Sequence, residues 1–179
     1  MKRHLLKTVV FFGILAIAAQ AQALAIMPGD AFLSGPETSQ AAIDFVFVGD
    51  ISPSVLLYKQ DEGGSESGPL AGSYNTTFNA DLSGGTIAYT GGDIVGPVAF
   101  LLVKDGNHDP GWYAFSLSPP VGPDWNGMET LVLSGFWPGP GSISHVSLYG
   151  SRAVPEPGTL FLLGSGLVSL TFARRKIKA

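Results

Sequence analysis

Asp105-Gly-Asn107-His-Asp109 places three oxygen-bearing side chains at alternate positions. Oxygen is what calcium requires: the ion takes about six to eight such ligands at about 2.3–2.6 Å. The run opens as D-x-N-x-D, the start of a calcium loop. It then departs from the helix–loop–helix version. Pro110 stands where the sharp-turn glycine belongs, and Ser116 where a bidentate Glu is needed. No flanking helices are legible either. Two readings stay open. One is a calcium site in a loop between strands, with Asp105, Asn107 and Asp109 as ligands. The other is a tight turn built by Asp and Asn side chains.

Trp112, Trp125 and Trp137, with Tyr113 and Phe136, gather in the second half of the chain. Exposed, such rings can stack on sugars while the indole N–H groups hold hydroxyls, which makes the three tryptophans candidates for sugar contact. Buried, the same residues close a core. Catalysis is thinly supported. His108 and His145 are the only histidines beyond the first few residues. Neither an H-E-x-x-H run nor a G-x-S-x-G serine elbow is present. Asp61-Glu62 and Glu66 resemble a glycosidase pair only in composition. They sit among Gly and Ser, with nothing apolar to raise the pKa of the one that must act as acid. With no cysteine, thiol catalysis, zinc–thiolate sites and iron–sulfur clusters are excluded. The expectation is a binding or structural protein, not an enzyme.

The elements that must position these residues read as short strands. Tyr74 to Leu82 alternates, with Tyr74, Thr76, Phe78, Ala80 and Leu82 on one side and Asn75, Thr77, Asn79 and Asp81 on the other. A period of two is a half-buried strand. Gly84-Gly85 then turns into Thr86–Thr90, a hairpin. Further strands are expected at 43–48, 54–59, 98–104, 112–117, 130–134 and 144–149. Pro36 to Ile43 has room for one helical turn. Glycine (24) and proline (13) supply the turns between so many strands. The expected fold class is all-β: a single antiparallel β-sandwich or jelly-roll-like domain. Val55-Leu-Leu-Tyr-Lys59 is echoed by Phe100-Leu-Leu-Val-Lys104, each before an acidic loop. The echo reads either as two related loops at one end of the domain or as two buried strands ending in a snorkelling lysine.

The two ends of the chain are different in kind. Lys2, Arg3 and Lys7 precede an apolar run from Thr8 to Ala19. Ala21-Gln22-Ala23 and Ala23-Leu24-Ala25 both offer small residues for cleavage. That is a secretory signal peptide, expected to be helical, over residues 1–25. The body is then 26–153. It carries 13 acidic residues against Lys59, Lys104 and Arg152, a net charge of −10. Phosphate backbones are bound by displacing counterions with Lys and Arg, so nucleic acid is excluded as a partner. Residues 154–179 hold Val154-Pro155-Glu156-Pro157, an apolar run from Leu160 to Ala173, and then Arg174, Arg175, Lys176 and Lys178. As a helix the run spans about 21 Å, short for a hydrocarbon core of about 30 Å. Snorkelling basic residues or local thinning make up the difference. The basic end points to the cytoplasm and the leader sends the body to the other side, so the two assignments agree. Both prolines hold Val154–Pro157 extended.

In these residues the tail resembles the PEP-CTERM sorting signal of exported proteins in exopolysaccharide-producing Gram-negative bacteria. The resemblance covers about the last 26 residues. It implies a transmembrane helix and recognition of Pro155-Glu156-Pro157 by an exosortase-type processing enzyme. It also implies an inner-membrane anchor facing the periplasm, followed by delivery to the cell surface or beyond. The body is similar to one group of such proteins with an uncharacterised β-rich body. The likeness lies in Leu56–Lys59, Tyr74–Phe78, Leu102–Asn107, Trp125–Gly127 and Ser144–Gly150. It brings no activity with it. The function expected is a structural or adhesive component of an exopolysaccharide or biofilm matrix, with polysaccharide as partner. The alternative is a calcium-assisted carbohydrate-binding module.

Overall fold

The computed structural model describes residues 23–44, 51, 54–105, 107–137 and 143–153. The leader up to Gln22 and the whole tail from Val154 lie outside them. So do the expectations placed there: the leader helix, the motif Val154–Pro157, the membrane helix, and Arg174, Arg175, Lys176 and Lys178.

Among the described residues ten strands form two sheets. The smaller runs β1 (Ala23–Ile26), β9 (Thr130–Leu133), β6 (Gly85–Tyr89), β5 (Tyr74–Phe78). The larger runs β2 (Leu33–Gly35), β8 (Trp112–Ser116), β7 (Ile94–Lys104), β10 (His145–Ala153), β3 (Val55–Asp61), β4 (Glu66–Ser67). Helix is confined, among the described residues, to a 3-10 turn at Pro28–Asp30 and one α turn, α1 (Gln40–Ile43). Ser39 starts α1: its side-chain oxygen accepts the Ala42 N–H at 3.3 Å and its carbonyl accepts the Ile43 N–H at 3.1 Å. Among the described residues no helix is long and apolar enough to cross a membrane.

The alternating strand behaves as its pattern requires, up to a point. Tyr74–Phe78 pairs with β6 in a hairpin, Tyr74 opposite Tyr89 and Phe78 opposite Gly85. The strand stops at Phe78 instead of running to Leu82. Asp81 ends it: its carboxylate accepts the Ser83 N–H at 3.2 Å and the Ser83 hydroxyl at 2.9 Å, folding residues 79–84 into a turn. Leu82 sits in that turn at φ 54°. Ile43, read as the first residue of a strand, is instead the last of α1 and is fully buried. The sheets are not wholly antiparallel either. β1 pairs with β9 in parallel, Leu24 opposite Leu131 and Ile26 opposite Leu133. That pairing takes in Ala23–Ala25, residues assigned by their sequence to the leader.

One buried cluster lies between the sheets. The smaller sheet contributes Ile26, Tyr74, Ile87, Leu131 and Leu133; the larger contributes Leu101, Val103, Phe115, Val146 and Leu148. A second cluster covers the other face of the larger sheet, where Leu102, Trp112, Ala114 and Tyr149 pack with Ile43 and Ile51. The central strand β7 reads as an almost unbroken apolar run because both its faces are covered, and β10 beside it is buried from His145 to Gly150 although His145 and Ser147 are polar. Tyr74 ties the core together. Its hydroxyl donates to the Gly127 carbonyl at 2.9 Å and accepts the Val95 N–H at 2.9 Å. Gly127 needs to be glycine for this. It has φ 81°, and a Cβ there would stand 2.6 Å from the Val95 carbonyl oxygen.

Candidate functional site: two ends of one strand

β10 runs through the middle of the larger sheet, between β7 and β3. Its nine residues are eight steps of about 3.3 Å, a length of about 26 Å. Its first residue, His145, and its last, Ala153, therefore mark opposite ends of the domain. The candidate site residues sort themselves between these ends.

At the His145 end, cross-strand pairing places His145 opposite Lys104 on one side and Asp61 on the other. Lys59 Nζ lies 2.8 Å from Asp61 Oδ1. His145 Nδ1 is 3.8 Å from the same oxygen, and its Nε2 is buried with no hydrogen-bond partner among the described residues. Burial pushes the imidazole pKa down to about 4; the Lys59 and Lys104 charges add to the fall and Asp61 opposes it. At neutral pH the ring is therefore uncharged, and its contact with Asp61 is not an ion pair. The two echoed segments flank β10 here. β3 and β7 run the same way, and both deliver a lysine and then an acidic loop to this end.

The Asp105–Asp109 loop leaves the end of β7. Asp105 is 2% exposed. One carboxylate oxygen accepts the Asn107 N–H at 3.1 Å and the other pairs with His108 Nδ1. Its own N–H donates to the Gly111 carbonyl at 2.9 Å, and the Gly111 N–H donates to Gly35 at 2.7 Å. Asn107 and Asp109 are exposed. The three expected oxygen ligands are thus divided, with Asp105 turned into the loop and the other two at its surface. Among the described residues no three His, Asp or Glu side chains come together as a metal cluster.

The tryptophans expected as a stacking platform are interior. Trp112, Trp125 and Trp137 are 0%, 5% and 7% exposed. Each indole N–H is held within the chain at 2.8 Å: Trp112 by the Glu37 carboxylate, Trp125 by the Glu129 carbonyl and Trp137 by the Pro110 carbonyl. Buried tryptophan needs such a partner, and these contacts pin three loops to the core. Trp137 also packs on Tyr113 and Phe136, with ring centroids 5.2 and 5.8 Å apart. Nothing in the sequence around Glu37 announces a partner 75 positions away.

At the other end, β10 is clamped up to its last residue. Arg152 pairs with Val95 in the ladder and its guanidinium binds the Asp93 carboxylate. Ser151 Oγ donates to the Gly96 carbonyl. Ala153 pairs with Ile94. The signal for this clamp was available: Arg152 is one of only three basic residues in an acidic body.

Residues 153–176 match the PEP-CTERM protein-sorting motif. The match begins on the final residue of β10 and covers Val154–Pro157, Arg174, Arg175 and Lys176. The motif implies an exported protein, membrane-anchored in transit and processed by an exosortase-type enzyme. No curated protein and no solved structure matches the chain.

Proposed function

We propose that this is a cell-surface or extracellular-matrix component, a structural or adhesive part of a polysaccharide matrix, delivered through its tail. In this reading residues 1–25 are the leader region, the two sheets form a jelly-roll-like sandwich, and 154–179 is the sorting signal. Leu160–Ala173 is the membrane helix that holds the chain while Pro155-Glu156-Pro157 is read. The body contributes no catalytic step. The observation that supports the reading is the continuity of β10 with the motif. The strand is held to Ala153 by Arg152 and Asp93, so no slack separates the body from the signal. The loops after β3 and β7 then lie at the opposite end of β10, about 26 Å from Ala153. Calcium-assisted sugar binding stays outside this reading, because Asp105 and all three indoles already have partners in the chain.

The test replaces Pro155 and Pro157 with Ala in cells that possess an exosortase. The apolar run is untouched, so the variant reaches the membrane and accumulates there unprocessed. Deleting residues 160–179 releases the body as soluble exported protein. If the alanine variant is processed like the wild type, the tripeptide is a passive linker and the proposal fails.

A further inference from the structure

β10 ends at Ala153, and the motif that implies a membrane anchor in transit begins on that same residue. We propose that the end of the body around Ala153 is a membrane-docking surface, which rests on zwitterionic lipid for as long as the tail stays attached. The proposal rests on the anchor reading of the tail and adds a partner for the body itself.

Four exposed apolar side chains from distant parts of the sequence meet there. Val55, Val98, Val121 and Met128 are 56%, 48%, 70% and 45% exposed. Val55 pairs with Gly150 of β10. Val98 lies in the stretch of β7 between Val95, opposite Arg152, and Ala99, opposite Gly150. Val121 stands in a turn closed by the Gly122 N–H, which donates to the Ser118 carbonyl at 2.9 Å. Ser118 Oγ fastens that turn to β7, donating to the Pro97 carbonyl at 3.0 Å and accepting the Ala99 N–H at 2.9 Å. Met128 follows Gly127, which lies so close to β7 that a Cβ would stand 2.6 Å from the Val95 carbonyl oxygen. All four are thus held at the level of Gly150–Ala153, a stretch of about 10 Å. Met27 and Phe32, also exposed, lie between β1 and β2. At the opposite end, the loops after β3 and β7 contain none of the exposed large apolar side chains found among the described residues, and they expose Glu62 and Asp109.

The tail decides what meets this surface. Seven steps of chain lead from Ala153 to Leu160, the start of the apolar run, and they reach at most about 25 Å. The polar layer on each side of a bilayer is about 5–8 Å thick, so the anchored body stays within reach of lipid. Three valines and a methionine are too few to draw a free protein to a membrane, but a short tether makes the contact intramolecular and raises its effective concentration. Charge sets the lipid class. Arg152 offsets Asp93, while Asp124 and Glu129 are left at this end of an acidic body. Anionic headgroups would be repelled, so the contact is apolar and suits zwitterionic lipid. Processing of the tail removes the tether, and the body then leaves the membrane.

The chain has no cysteine, so one introduced thiol is a unique labelling site. Val98→Cys, Val121→Cys, Met128→Cys and, at the far end, Glu62→Cys are each made in the full chain and produced in cells without an exosortase, which leaves the tail on. Each is labelled with a polarity-sensitive dye and placed in phosphatidylcholine vesicles that carry a lipid spin-labelled at headgroup depth. Dyes at 98, 121 and 128 are expected to be quenched about twofold or more relative to the dye at 62. Equal quenching at all four positions overturns the proposal. A dye shift at 98, 121 and 128 that follows the density of chains, without lipid quenching, assigns the surface to a second copy and also overturns it. A chain that does not stay with the vesicles overturns the anchor reading as well. A second arm adds Val98→Asp and Val121→Asp to the Met128→Cys chain. Quenching is expected to fall to the level at 62 while the chain stays with the vesicles; retained quenching overturns the proposal.

Discussion

Replacing Tyr74 with Phe removes one oxygen atom and leaves every ring contact in place. The consequence is large because of where that oxygen sits. Tyr74 is 1% exposed, and its hydroxyl bridges the Val95 N–H and the Gly127 carbonyl. In the phenylalanine variant both buried backbone groups lose this bond. A buried unsatisfied group costs about 1–3 kcal/mol, so the pair amounts to about 2–4 kcal/mol after some relaxation. For a domain of this size, about 1 kcal/mol moves the midpoint by about 3–5 °C, so Tm falls by about 6–20 °C. Thermal unfolding followed by near-ultraviolet circular dichroism measures it. Tyr113→Phe is the control: that hydroxyl makes no hydrogen bond among the described residues, and its removal shifts Tm by about 1–2 °C at most. Burial also pushes the Tyr74 hydroxyl up to about 12. The unfolded chain ionises near 10, so it loses protons first, and folded stability declines as pH rises from about 10 to 12. Tyr74→Phe removes its share of that decline, leaving the share of Tyr58, also raised to about 12. An unchanged Tm in Tyr74→Phe would refute the bridging role.

Three further outcomes are expected. His145 titrates near 4 in the folded chain against about 6.5 unfolded, so its contribution is complete above 6.5 and is lost as pH falls from 6.5 through 4. It amounts to about 3 kcal/mol; His145→Gln flattens the acid limb of a stability-versus-pH curve, and an unaltered limb would show that the ring is not the group responsible. Asp105→Ala removes the acceptor of the Asn107 N–H and the partner of His108, and lowers Tm by the same amount in calcium and in chelator; calcium raising Tm in the wild type and not in the variant would restore the metal site. Arg152→Ala unfastens the end of β10, so that limited proteolysis begins at residues 150–153 instead of beyond them; an unchanged first cut would mean that the ladder alone holds the strand.

How far the sequence carries depends on how local the cause is. A sorting signal is read as an extended segment, and the Pro155-Glu156-Pro157 run, the apolar stretch and the basic end are all contiguous, so the tail was legible without a fold. Strand alternation is equally local, and β5, β6, β8 and β9 stand close to where their patterns put them. β7 and β10 were legible as strands, but not as central ones. In β7, being apolar on both faces erases the alternation that would have said which face each side chain takes, and in β10 the polar His145 and Ser147 suggest an open face that packing in fact covers. Of the strand expected at 43–48, Ile43 stands in a helical turn that Ser39 caps from outside the apolar run, and residues 45–48 lie outside those the structure describes. The chemistry of the remaining candidates depended on distant partners. A tryptophan looks the same in sequence whether its N–H meets a sugar or, as for Trp112, a carboxylate 75 residues away. Asp105, Asn107 and Asp109 are evenly spaced in the chain, yet backbone turning buries one and exposes two. And Ala23–Ala25 satisfy a leader's cleavage rule in one dimension, while the parallel pairing of Leu24 with Leu131 makes them part of a sheet. Spacing along a chain constrains only neighbours in that chain; which atoms meet across it was decided by the packing of two sheets on one core.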